Sequence, residues 1–151
     1  MKLRGRIFFL TALVCLSAAP AGRIHADDGK LDAQGIQGEW KVVEAVLNGK
    51  PAPEQLYEQF TFVFTAEKLT LGSGASKREF NYQLDPAKKP RQMTLTPLDG
   101  PHKGKSVSGI YELKEDDLKL CLPNDDAQTP PTEFKSAEGS KLGLFVFKRG
   151  K

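Results

Sequence analysis

The chain predicts a single all-β domain, an antiparallel up-and-down barrel of about eight short strands. Three observations predict it. From Trp40 onward, apolar residues recur with period two, the mark of half-buried strands. Turn-forming residues interrupt that alternation roughly every ten residues, a spacing typical of sandwiches and barrels. No segment after residue 26 carries the long apolar stripe of a buried helix.

Taken in order, Met1–Ala26 reads as a secretory signal peptide. Lys2, Arg4 and Arg6 precede an uncharged apolar run from Ile7 to Ala19, and Pro20 and small residues follow. That run is shorter than the about 20 apolar residues a membrane-spanning helix needs. Two cleavage sites fit, after Ala21 and after Ala26. The second is preferred because it leaves Asp27-Asp28 at a soluble start. Cys15 lacks the small residue expected before a lipid-modified cysteine. The domain is therefore expected outside the cytoplasm, periplasmic or secreted, with no transmembrane segment after the signal.

Removing the signal changes the electrostatics. Lys2, Arg4, Arg6 and Arg23 lie within it, and none of the 19 acidic residues does, so the formal charge falls from +3 to −1. A basic face on the working domain is what nucleic-acid binding needs, and this composition gives no support for one. Only Cys121 remains, which excludes an internal disulfide. Flanked by Leu120 and Leu122, its thiol reads as a small buried apolar group.

Residues 27–35 are polar and hold two glycines, and read as a flexible lead-in to a domain spanning 36–149. Trp40 to Leu47 is the first strand, ended by the turn Asn48-Gly49-Lys50. Pro51 and Pro53 break the chain before a short helical turn over Glu54 to Gln59. Phe60, Phe62 and Phe64 then alternate with β-forming threonine and valine. Leu69-Thr70-Leu71 follows, with Gly72-Ser73-Gly74 as its turn. Next come Phe80, Tyr82 and Leu84, then Met93 to Thr96, then Val107 to Leu113. After the turn at Glu115-Asp116-Asp117, Leu118, Leu120 and Leu122 alternate, and Leu142 to Phe147 closes the chain.

An eight-stranded barrel has an interior just large enough to be filled by side chains or to hold one small ligand. The sequence leaves both open, since a phenylalanine-rich strand such as Phe60 to Phe64 could also fill the bore. Gly109 and Gly143 suit the bends that barrel closure requires.

Gly38-Glu39-Trp40-Lys41-Val42-Val43 resembles the Gly-x-Trp start of the lipocalin or calycin superfamily. That resemblance implies that Trp40 plugs one end of the barrel, under a basic side chain just past the last strand. Lys148 and Arg149 are candidates, and Arg149 is the better stacker. Gly38, Trp40 and Arg149 thus form the expected structural plug.

The chain from about residue 35 to 149 also resembles a family of uncharacterised domains of planctomycete bacteria. The segments that carry this are Ile36 to Val43, Asn48 to Pro53, Leu84 to Pro90, Lys103-Gly104-Lys105, Gly109 to Leu113, Leu118 to Cys121 and Pro131-Thr132-Glu133-Phe134. The resemblance implies an extracytoplasmic lipocalin-like domain and no particular activity. Members often place arginine before Pro-Thr-Glu-Phe; here Pro130 stands there, so any role of that arginine is absent.

Few residues suggest chemistry. His102 is the one histidine after the signal, and one Cys with one His is a poor zinc set. Asp116-Asp117 and Asp125-Asp126 lack the spacing of a calcium loop and read as solvated turns. No loop has the pattern of a phosphate or dinucleotide cradle, so no cofactor is expected. The basic clusters Lys88-Lys89-Pro90-Arg91 and Lys103-Gly104-Lys105 read as solvated loops. Tyr111 and Glu133 stand out, with Glu133 either the buried partner of the Tyr111 hydroxyl or a brace for the long loop.

The first expectation is a non-enzymatic binder of a small apolar or amphipathic molecule, with Tyr111, Glu133, Phe62 and Phe80 as ligand contacts. The second is a cell-envelope module with a filled barrel and a protein or polymer partner. An enzyme, the third, would need Tyr111, Glu133 or His102 gathered in one cleft.

Overall fold

The computed structural model of the chain describes residues 26–124 and 129–151. The expected signal peptide, as far as residue 25, and Asp125-Asp126 lie outside the described residues. The strands close into an eight-stranded antiparallel barrel.

The barrel strands are β1 (Gly38–Leu47), β3 (Phe60–Phe64), β4 (Lys68–Ser73), β5 (Ser76–Asp85), β6 (Gln92–Pro97), β7 (Val107–Lys114), β8 (Asp117–Pro123) and β9 (Leu142–Arg149). Each pairs with the next along the chain, and β9 returns to β1 with Val42 opposite Phe147 and Trp40 opposite Arg149. Closure leaves no continuous open edge for another chain to extend. A two-residue strand, β2 (Lys50–Pro51), turns back on the end of β1.

Alternation places the apolar rows inside. Phe62 and Phe64 on β3, Leu69 on β4, Met93 and Leu95 on β6, Tyr111 on β7, Leu118 and Leu120 on β8 and Phe147 on β9 share one core. In β1 the row changes parity. The register with β9 slips between Val42 and Glu44, so Trp40 and Val42 point inward and then Ala45 does. Val43 is the extra residue and is left exposed. A bulge of this kind bends the strand where the barrel wall must turn.

The wall between β1 and β3 is completed by more than strand pairing. β3 pairs only with Gly38 to Lys41, and β2 only with Val46 and Leu47. The intervening gap is filled by Ala52 and by Tyr57 of the short helix α2 (Glu54–Tyr57). Ala52 donates its backbone N–H to the Ala45 carbonyl at 2.8 Å, and the Tyr57 hydroxyl reaches the Val43 carbonyl at 3.4 Å.

One expectation is corrected. The segment 27–35, read as a flexible lead-in, lies in a helix, α1 (Ala26–Gly35). Its sequence has no apolar stripe, and isolated helices of ten residues are marginal in water. Tertiary anchors stabilise it: Asp32 is buried and binds two barrel residues, and Ile36 just beyond it is fully buried in the core. Among the described residues no helix is long and apolar enough to cross a membrane.

Phe134 and Lys135, between β8 and β9, lie against the outer face of β8. Ile110 and its cross-strand partner Cys121 face outward from the barrel, yet both are completely buried there. Neither belongs to the barrel core. The Cys121 thiol lies 3.8 Å from the Lys135 carbonyl, and burial pushes its ionisation up. Such a thiol is poorly nucleophilic.

Candidate functional site

The two ends of the barrel differ. At one end Trp40 is fully buried, and its indole N–H donates to the Ile36 carbonyl at 2.7 Å. The Arg149 guanidinium lies over the indole ring, 4.3 Å from its centroid. Its N–H groups donate to the carbonyls of Gln37 at 2.8 Å, Gly35 at 2.7 Å and Glu115 at 3.2 Å, and to the Asp116 carboxylate at 3.0 Å. One planar fork thus ties the approach to β1, the β7–β8 turn and the last strand together. Gly38 makes room for it. The residue has φ of +123°, and a Cβ there would stand 3.0 Å from an Arg149 nitrogen. Gly38, Trp40 and Arg149 therefore sit together at this end.

Helix α1 lies across the same end. The Tyr111 hydroxyl donates to Asp32 at 2.6 Å, and one Arg91 nitrogen reaches both Asp32 carboxylate oxygens at 3.0 and 3.1 Å. Burial, followed by the hydrogen bond and negative charge of Asp32, raises the Tyr111 phenol well above its ordinary value. Glu133 takes no part. It is exposed on the segment outside the barrel, so the expected pairing of Tyr111 with Glu133 is replaced by Tyr111 with Asp32. The helix that carries Asp32 lies 79 residues away along the chain, and nothing local signals that contact.

The other end is open and leads into an apolar cavity of about 250 Å³. Phe62 and Phe80 line it, as do Leu71, Leu95, Val107 and Leu122. Its floor is aromatic: Phe62 and Phe147 meet edge to face with ring centres 4.8 Å apart. Phe64 and Tyr82 make a second such pair at 5.2 Å. Paired edge to face, the phenylalanines pack against each other rather than filling the bore. Phe80 and Phe145 join leucine, valine and proline in the wall beyond them, and the space stays open.

Of the four expected ligand contacts, Phe62 and Phe80 line the cavity, whereas Tyr111 and Glu133 do not. Two further hollows adjoin the mouth. One of about 370 Å³ shares Phe80, Pro97, Val107 and Pro123 with the cavity and adds Arg78, His102, Lys105 and Asp99. The other, of about 420 Å³, shares Leu71 with the cavity and Arg78 with the first hollow. Arg78 is a site residue that the sequence reading passed over. Its signal was its place two residues before Phe80, in the same inward-facing row.

His102 lines the mouth, Tyr111 is bound to α1 beneath the opposite end, and Glu133 is outside. The three share no cleft. No protein-family model, curated protein or solved structure matches this chain.

Proposed function

We propose that this protein is a non-enzymatic carrier of a small apolar or amphipathic molecule, held in the barrel and working outside the cytoplasm. The observation that carries the proposal is the apolar cavity of about 250 Å³ opening at one barrel end. Apolar concavities with few polar groups are the usual form of small-molecule sites, and drug-sized ligands use about 300–1,000 Å³. This cavity is a little smaller and favours a slim ligand. Burying apolar ligand surface gains about 25 cal/mol per Å², enough to retain such a molecule without a dedicated polar anchor. The charged and then apolar first 26 residues support the extracytoplasmic setting. A filled barrel serving as an envelope module is disfavoured by the same cavity.

Titration of the mature chain with the neutral fluorophore N-phenyl-1-naphthylamine tests this reading. Fluorescence should rise saturably. The Val107→Trp variant, which fills the bore from β7, should remain folded in circular dichroism and lose at least tenfold in affinity. No saturable rise with the wild type, or undiminished binding by a folded V107W, would sink the proposal.

A further inference from the structure

We infer that the ligand is a single-tailed amphiphile with an anionic head, and that Arg78 sets this specificity from the rim. The inference rests on the cavity being the binding site and names the class of molecule it takes.

The tail requirement comes from the bore. Its lining is apolar, its volume is about 250 Å³, and its aromatic floor closes it above the Trp40 plug. One slim chain fits such a shaft, whereas a two-tailed lipid exceeds it. The head requirement comes from what stands next along the wall. On β5 the inward row runs Leu84, Tyr82, Phe80, and the position beyond Phe80 is Arg78. The row therefore passes from core to cavity wall to guanidinium in steps of two residues, each about 7 Å along a strand.

Arg78 borders both hollows at the mouth, so a head group in either one meets it. Lys105 adds a second cation to the hollow of about 370 Å³, and Asp99 is the carboxylate among its lining groups. Lys105 and Asp99 border only that hollow, which leaves Arg78 as the charge common to both hollows beside the cavity. In the other hollow its neighbours include Ser73 and Ser76, whose hydroxyls supply neutral donors to the same head. A planar guanidinium matches a carboxylate or phosphate oxygen pair better than an ammonium does. Arg78 is exposed at the rim, so a neutral head leaves it solvated but gains no charge-assisted bond, and a cationic head would be repelled.

Displacement of N-phenyl-1-naphthylamine by decanoate and by decanol provides the test, on the wild type, Arg78→Gln and Lys77→Gln. Lys77 neighbours Arg78 in the chain but faces outward, so its loss removes equal charge without touching the mouth. The wild type should bind decanoate about tenfold more tightly than decanol, the scale of one charge-assisted hydrogen bond. Arg78→Gln should abolish that preference with decanol affinity unchanged, and Lys77→Gln should retain it. Equal displacement by the two compounds on the wild type, or a preference that survives R78Q, would overturn the head-group assignment alone. Failure of the wild type to take up the fluorophore or either compound would overturn the cavity reading, and this inference with it.

Discussion

Tyr111 carries a hydroxyl for which the sequence offers Glu133 as one candidate partner, and the fold gives it Asp32. Removing that hydroxyl leaves a buried carboxylate with Arg91 as its remaining side-chain donor. Tyr111→Phe should cost about 1.5–3 kcal/mol near neutral pH, the range for a hydrogen bond to a charged group. Urea unfolding with unchanged slope would measure it. The pH dependence has a definite sign. Burial and Asp32 raise the folded phenol above its ordinary value of 10.0, whereas the unfolded chain releases that proton near 10. This contribution is therefore complete below pH 10 and is lost as pH climbs above it. The gap between wild type and Y111F should narrow above pH 10. Burial raises Tyr82 as well, but it is present in both chains and cancels in the comparison. A gap that stays constant to pH 11.5 would contradict the assignment. That Tyr111 needs a buried partner is readable from its place in an apolar row; which carboxylate supplies it is a long-range fact with no local trace.

At the scale of elements, alternation made the strands legible because each half-buried strand must present one apolar face. Three features escaped that logic. Helix α1 has no apolar stripe and is held by one carboxylate and by Ile36. The bulge at Val43 hides a parity switch, since Val42, Val43, Ala45 and Val46 are all apolar and mask which row turns inward. The two residues of β2 are too few to show any period. Gly109 and Gly143 read in the sequence as bends for barrel closure; at Gly109 the structure shows a close backbone approach. A Cβ there would lie 2.4 Å from the Cys121 carbonyl oxygen and 2.4 Å from a Leu122 methyl. Backbone cannot yield as a flexible side chain can, so Gly109→Ala should destabilise by about 1–3 kcal/mol through overpacking. Gly72→Ala is the matched control, because its Cβ would meet only a carbonyl oxygen at 3.8 Å. It should stay within about 0.5 kcal/mol of wild type. Equal unfolding midpoints for G109A and G72A would refute the close approach.

For the whole molecule, the asymmetry of the two ends is the property that matters. One end is sealed by Trp40, Arg149 and α1; the other leads to the cavity and its cationic rim. Chain closure and the proposed ligand access thereby fall to different groups, and the two should separate on mutation. Arg149 joins residues more than 110 positions apart, with donors to the Gly35 and Gln37 carbonyls and its guanidinium over Trp40. Arg149→Ala leaves those carbonyls without this donor and opens the ring to water, for a cost of about 2–4 kcal/mol. Arg149→Lys should recover only part of the loss, because an ammonium cannot span the same carbonyls as a planar fork. The cavity lies beyond the aromatic floor formed by Phe62 and Phe147, and its lining does not include Arg149. Affinity for N-phenyl-1-naphthylamine should therefore stay within about twofold in both variants at temperatures where they are folded, a difference below 0.5 kcal/mol. Stability and uptake falling together in folded R149A would mean that the sealed end shapes the cavity, and the division of labour between the two ends would be lost.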